Sequence, residues 1–282
     1  MRLSVRAAAR AGVPAAVLLL AGCATGAGAE RTAGGTSAAD AVARAVEETE
    51  NVTSLHYKVT GRFPERGRIA DEGTVRTKPV TGSLRTATLS GAERGETELR
   101  LVDGVLYGSA TGDMAGEIGG RHWISYGPAA HFTTHGGLRM DVGALRDSVT
   151  RNPAREAAFL AGAPDVKRVG DEEIDGGDTT HYTGTAAVDE LRASLADVED
   201  KAAREGRERS LDQYEKAGVD ELTLDVWIDG DDRVRRLRTQ GFGRHGELDL
   251  TVTLLDDRPV TIRAPRPDDT ADLRKPLEKK GS

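Results

Sequence analysis

The sequence predicts an α+β domain in which an antiparallel sheet packs against a few amphipathic helices. Short segments with apolar residues at every second position recur about every ten residues, separated by Gly- and Asp-containing turns, which indicates hairpins. Strands and helices do not alternate one by one, so a parallel βαβ sheet is not expected. Each predicted helix has a single apolar stripe, and the helices must therefore cover one face of the sheet.

The composition narrows the class of protein before any motif is considered. The chain has 282 residues, of which 38% are hydrophobic and 30% charged, and these values are typical of one soluble domain with short appendages. Its net charge is −7. Because binding to phosphate backbones depends on a positive field, a nucleic-acid partner is not expected.

Residues 1–22 have the pattern of a secretion signal. Arg2, Arg6 and Arg10 form a positive segment, residues 11–20 are apolar, and small residues stand directly before Cys23. The apolar run is shorter than the roughly 20 residues that a membrane-spanning helix needs. We therefore predict that this segment directs export and is not a permanent transmembrane helix.

Cys23 ends the tetrapeptide LAGC, which resembles the bacterial lipobox. This resemblance implies that the Cys23 thiol is acylated, that the signal is cut immediately before it, and that the protein is anchored in the cell membrane facing outward. Two acyl chains anchor a protein stably, whereas one binds only marginally. Cys23 is the only cysteine in the chain, so no disulfide within the chain is possible. The alternative is a chance cysteine at the end of an ordinary signal.

The sequence predicts a flexible tether of small residues over 23–39, a folded domain over 40–272 and a charged tail over 273–282. Ser37 followed by Asp40 predicts a helix start. The helix that follows places Val42, Ala45 and Val46 on its buried face.

Strands dominate the next hundred residues. Segment 54–63 alternates with Tyr57 and Val59 on one side, and further strands are predicted at 73–78, 83–90 and 121–127. Segment 97–110 reads as a hairpin that turns at Asp103-Gly104.

The middle of the chain predicts helices. Asp141 opens a helix with Val142, Leu145 and Val149 in one stripe, and Asn152-Pro153 begins a second helix that stops near Gly162. A hairpin over 167–185 is predicted to turn at Gly176-Gly177.

A longer helix follows that hairpin, from Val188 to Ala202, and is interrupted at Gly206. The closing segment predicts four strands in two hairpins, which turn at Gly230-Asp231 and Asp256-Asp257.

Three stretches together resemble the actinobacterial lipoproteins of the LppX and LprG type, which are similar in fold to the carriers LolA and LolB. They are HYTGT at 181–185, WIDGDDRVRRL at 227–237 and DRPVTIRAPRPDDTADL at 257–273. The resemblance covers about residues 40–272. It implies a strongly curved antiparallel half-barrel whose concave face is capped by helices and encloses an apolar cavity for the acyl chains of a lipid or glycolipid.

The alternating strands and one helix supply the residues expected to line such a cavity. They are Tyr57, Val59, Leu224, Val226, Leu250 and Val252 from strands, and Val142, Leu145 and Val149 from the helix. Two functions remain open at this point. One is a lipid-carrying lipoprotein; the other is an anchored interaction or sensing module with a closed core and no cargo.

The sequence contains only weak matches to motifs of enzymes or metal sites. His131 and His135 have the spacing of a helical zinc pair, but Phe132 stands where a metalloprotease needs glutamate, and glycines follow. Asp229, Asp231 and Asp232 fit a hairpin turn better than a calcium loop. We therefore predict no catalytic residue, no metal and no cofactor.

Overall fold

The structure is a computed structural model and describes residues 37–64, 66–90, 94–127, 131–133 and 139–273. The predicted signal, Cys23, the tether up to residue 36, His135 and the tail from residue 274 lie outside the described residues.

One sheet of twelve strands organises the domain, in the order β14-β6-β5-β4-β3-β2-β1-β13-β12-β11-β10-β9. It is curved, and its ends at β14 and β9 do not pair with each other, so it forms no closed barrel. The strands of this sheet and of a separate β7-β8 pair are β1 (Ser54–Phe63), β2 (Gly67–Thr77), β3 (Val80–Thr88), β4 (Gly95–Val102), β5 (Val105–Ser109), β6 (Trp123–Gly127), β7 (His131–Thr133), β8 (Arg139–Asp141), β9 (Lys167–Ile174), β10 (Gly177–Ala187), β11 (Glu221–Asp229), β12 (Val234–Gly243), β13 (Gly246–Asp256) and β14 (Thr270–Asp272).

Adjacent strands are antiparallel, except that β14 pairs in parallel with β6. Six α-helices occur in the described residues: α1 (Ala38–Glu50), α2 (Asp113–Glu117), α3 (Val142–Thr150), α4 (Ala158–Ala161), α5 (Val188–Ser194) and α6 (Lys201–Lys216). Short 3-10 helices cover Pro153–Ala157, Leu195–Asp197 and Pro267–Asp269. Within the described ranges, none of the helices has the length and hydropathy needed to span a bilayer. The predicted α+β class is confirmed.

The predicted helix starts are confirmed by their side-chain caps. Ser37 Oγ accepts a hydrogen bond from the Asp40 amide at 3.1 Å and begins α1. Asp141 Oδ1 accepts one from the Ala144 amide at 3.0 Å and begins α3. Both caps satisfy an amide that the first helical turn otherwise leaves without a partner.

Thr49, which is 2% exposed, fixes α1 to the sheet. Its hydroxyl donates to the Ala45 carbonyl at 2.6 Å and accepts from the Val234 amide of β12 at 3.0 Å. Asn152 Nδ2 donates to the Thr49 carbonyl at 3.2 Å. The end of α1 is therefore joined to both β12 and the turn after α3.

The prediction of one helix from Val188 to an interruption at Gly206 is wrong. The helix ends earlier, at Ser194, and a short 3-10 turn follows. Asp200 then caps a new helix, because its Oδ1 accepts from the Ala203 amide at 2.7 Å, and α6 runs through Gly206 without a break. The local cap determines the break, since one interior glycine costs a helix only about 1 kcal/mol.

Two predicted hairpins also need correction. The β9-β10 turn is centred on Asp175 and Gly176, both with positive φ, one residue before the predicted position. No strand follows Asp256 until β14, so the closing segment has three long strands and not four. Pro259 and Pro265 lie in the intervening segment, where they lack the amide that a strand ladder needs.

Candidate functional site

One face of the sheet carries the apolar residues that the sequence singled out. Strand register places them side by side, because residues that pair across antiparallel strands share a face. We define the central row as the five cross-strand neighbours Tyr182, Val226, Leu237, Val252 and Val59. Strands lie about 4.8 Å apart, so the central row is about 19 Å long.

The remaining predicted strand residues lie in the rows beside it. Tyr57 pairs with Leu254 on one side of the central row. Leu250 and Leu224 lie on the other side, both paired with Thr239. All six predicted strand residues therefore belong to one continuous apolar surface. Leu237 was missed because three arginines surround it in the sequence, at 235, 236 and 238.

Helices cover this apolar surface. It forms one hydrophobic cluster with side chains of α1, α4, α5 and α6, which include Val42, Leu160, Leu191 and Leu211. Leu224 and Val226 are fully buried, whereas Val59 and Leu250 are only partly buried. The partly buried positions mark where the cover is incomplete.

The three predicted residues of α3 belong to a second hydrophobic cluster. Val142 and Val149 are fully buried and Leu145 partly so, packed with Leu101 and Leu106 of the β2-to-β6 half of the sheet. The structure therefore divides the nine predicted residues into six and three, and does not bring them into one group. The sequence could not show this division, because it depends on which strands α3 crosses.

Two glycines allow close packing on this half of the sheet. A Cβ at Gly82 would lie 2.4 Å from the Val149 carbonyl oxygen, so only glycine lets α3 lie so near β3. A Cβ at Gly73 would lie 2.2 Å from Cζ of Tyr57. The Tyr57 ring therefore lies directly over Gly73.

The central row continues onto β2, β3 and β4 with polar residues. Val59 pairs with Asp71, Asp71 with Thr86, and Thr86 with Thr97. Oδ1 of Asp71 is buried and has no hydrogen-bond partner among the described residues. Burial raises the pKa of Asp71 to about 6, which the Arg66 guanidinium and a hydrogen bond from Thr86 only partly offset.

The Asp71 carboxylate also affects the phenol of Tyr57. Burial raises the pKa of its phenol to about 12, and the neighbouring Asp71 carboxylate acts in the same direction. Along this line of paired residues, the side chains are thus apolar in the central row, from β10 to β1, and polar in its continuation, from β2 to β4. Asp71 was missed, although it stands between Ile69 and Gly73 at the inward positions of an alternating strand.

The opposite face of the sheet is polar and tightly paired. His181 stacks on Trp227 with ring centroids 4.3 Å apart, and its two ring nitrogens lie 2.8 Å from Glu172 and Asp225. Trp227 Nε1 donates to Glu172 at 2.9 Å, and this bond is the largest cause that lowers the Glu172 pKa. The cluster holds β9, β10 and β11 together.

Candidate metal ligands do not converge in the part of the chain that the structure describes: it contains no group of three or more His, Cys, Asp or Glu side chains able to hold an ion. The prediction that Asp229 belongs to a hairpin turn is confirmed, because its Oδ1 accepts hydrogen bonds from the amides of Asp231 and Arg233, each at 3.0 Å.

Comparison with known proteins gives sequence relatives and similar structures, and no family model matches the chain. An uncharacterized 31.2 kDa protein of Streptomyces griseus is 29% identical over 205 residues, which are 71% of this chain and 64% of that protein. A Streptomyces coelicolor protein named "Putative lipoprotein" is 28% identical over 214 residues, 72% of this chain and 63% of that protein. The alignments thus span less than two thirds of either relative.

The crystal structure of lipoprotein LppX from Mycobacterium tuberculosis is similar over 80% of this chain and 98% of LppX, with 17% identity and a TM-score of 0.48. In sequence the chain is similar to two Streptomyces proteins, one of them named a putative lipoprotein, in keeping with the predicted resemblance to actinobacterial lipoproteins.

Proposed function

We propose that this protein is an extracytoplasmic lipoprotein, anchored in the cell membrane through acylated Cys23, that binds a lipid or glycolipid on the helix-covered face of its sheet. The observation that carries the proposal is the apolar surface on β10 to β1 that continues into polar residues on β2 to β4. The lipoprotein names of its relatives support the anchor. Binding of this kind needs no catalytic group and no cofactor.

Burial of acyl chains would supply the binding free energy. Each methylene removed from water contributes about 0.8 kcal/mol, so ten buried methylenes correspond to roughly 8 kcal/mol before the cost of ordering the chain. The central row, about 19 Å long, offers Val and Leu contacts along that length. Opening the incomplete cover near Val59 and Leu250 would admit the chain.

The polar continuation supports an amphiphilic cargo. Thr86 and Thr97 offer hydroxyl groups, and Asp71 has a buried oxygen without a partner in the described structure. An unsatisfied buried acceptor costs about 1–3 kcal/mol. A head group with hydroxyl donors would remove that cost, whereas a purely hydrocarbon ligand would not.

A second function is favoured by the full burial of Leu224 and Val226. If the helices keep the core closed, the domain would serve as an anchored interaction or sensing module without cargo. The two proposals differ in whether a lipid leaves the host membrane with the protein.

Native mass spectrometry of the full chain, purified in detergent from its host, tests the proposal. We expect a lipid adduct that dissociates on activation, in addition to the covalent mass at Cys23. Val59→Trp fills a partly buried position of the central row and should lower adduct occupancy at least several-fold. Val169→Trp, at a position of β9 that is 53% exposed, should leave it unchanged. A bare protein mass for the wild type would favour the interaction module.

A further inference from the structure

A cleft of about 200 Å³ lies outside the apolar face, between the turn that follows α3 and helix α6. This volume equals that of about six or seven water molecules, enough for a small anion and part of its substituent. Six charged residues line it, of which four are arginines: Arg151, Arg155, Arg207, Arg209, Asp147 and Glu156.

Both acids of the cleft are already engaged by protein groups. Glu156 lies 3.4 Å from Arg151 Nη1 and accepts hydrogen bonds from Ser210 Oγ at 2.9 Å and Tyr214 Oη at 2.8 Å. Asp147 pairs with Arg209 at 3.5 Å. The two carboxylates are thus balanced by Arg151 and Arg209.

The other two arginines have unsatisfied donors. Nε of Arg155 and Nε of Arg207 are buried and have no hydrogen-bond partner among the described residues. Arg155 Nε lies 3.3 Å from Glu50, close enough for an ion pair, although its geometry makes no hydrogen bond. No ion pair connects Arg207 to any other residue that the structure describes. The Arg207 guanidinium therefore has no carboxylate within ion-pair distance among the described residues, although the chain as a whole has a net charge of −7.

Gly206 leaves the α6 side of the cleft open. A Cβ placed on Gly206 would meet no atom within 4 Å. Glycine lowers helix stability relative to alanine, and packing does not require it at this position. A side chain added at Gly206, which lines the cleft together with Arg207, would therefore enter open space.

We propose that this cleft binds a phosphate group, with Arg207 as its principal ligand and Arg155 as a second donor. Guanidinium groups match phosphate oxygens with paired hydrogen bonds, and a phosphate anion would satisfy both buried Nε donors. The phosphate belongs either to a free phosphate or to the head group of a phospholipid. The proposal does not depend on lipid binding by the apolar face.

The test titrates the full chain, purified in a non-ionic detergent, with inorganic phosphate and with glycerophosphoglycerol, the soluble head of phosphatidylglycerol. Calorimetric titration at about 0.15 M constant ionic strength separates specific binding from screening. We expect saturable binding. Comparable affinity for the two compounds identifies a free-phosphate site, and at least tenfold tighter binding of glycerophosphoglycerol identifies a head-group site.

Two matched pairs of variants locate the binding. Arg207→Gln should weaken it by roughly tenfold or more, as loss of a charge-assisted hydrogen bond predicts, whereas Arg62→Gln, at an exposed position of β1, should not. Gly206→Glu should abolish binding and Gly206→Ala should retain it. The proposal is overturned if neither compound binds, or if Arg207→Gln and Gly206→Glu both bind as the wild type does.

Discussion

Asp71 gives the helix-covered face a carboxylate at a position where alternation predicts an apolar residue. Its neighbours at the inward positions of β2 are Ile69, Gly73 and Val75, all buried. The alternation that starts at Ile69 predicts from the sequence alone that Asp71 lies on the inward face. Its burial could not have been found in this way, because it depends on the pairing of Asp71 with Val59 and Thr86.

Asp71→Asn should change the pH dependence of stability. The folded-state pKa, about 6, lies above the ordinary value of 3.8, so the folded form holds its proton more tightly than the unfolded form. The stability of the wild type therefore falls as pH rises from about 4 to 6, and the cost persists above 6. The unfolding free energy of Asp71→Asn minus that of the wild type should therefore rise by about 1–2 kcal/mol from pH 4 to pH 7.5, after allowance for solvent screening.

Urea unfolding of both proteins at the two pH values measures this difference. Asp178→Asn, at an exposed position of β10, is the control and should alter the unfolding free energy equally at both pH values. An identical effect of Asp71→Asn at pH 4 and pH 7.5 would show that the carboxyl is not perturbed.

At the scale of elements, the sequence predicted α1, α3, β1 and the β4-β5 hairpin with their caps and turns. These elements have local signals: a capping side chain, a single apolar stripe or an Asp-Gly turn. The error in the helices falls where two local signals compete. Gly206 looked like a helix break, but the Asp200 cap determines where α6 begins.

Gly206→Ala should stabilise the protein by about 0.5–1 kcal/mol, because alanine favours the helix and its Cβ meets no neighbouring atom. Thermal unfolding should show a rise of a few degrees. Gly82→Ala is the opposing control, because its Cβ would clash with α3, and it should lower the melting temperature. A melting temperature that falls in Gly206→Ala would mean that α6 needs glycine there.

At the scale of the whole molecule, register determines the candidate site. The sequence identified six of the strand residues on the apolar surface, but it could not place Leu237 or Asp71 in the same row. It also grouped α3 with that surface, whereas α3 covers the other half of the sheet. Patterning predicts which face of an element is buried, and only strand pairing decides which elements share it.

The proposed membrane attachment through Cys23 also belongs to the scale of the whole molecule. If the host is fed an alkyne analogue of palmitate, the wild-type chain should be labelled, since Cys23 supplies its only thiol. Cys23→Ser should remove the label, because serine cannot replace the thiolate in the alkylation. Labelled Cys23→Ser protein, or unlabelled wild type, would contradict the proposed anchor.

Photo-crosslinking tests lipid binding by the apolar surface most directly. The full chain carries benzoylphenylalanine at position 59 in the central row, or at exposed position 169 as control, and is irradiated in its host membrane. Mass spectrometry of the tryptic peptides should show lipid covalently attached at position 59 and little at position 169. Equal attachment at both positions, or none at 59, would contradict the proposal that this face binds lipid.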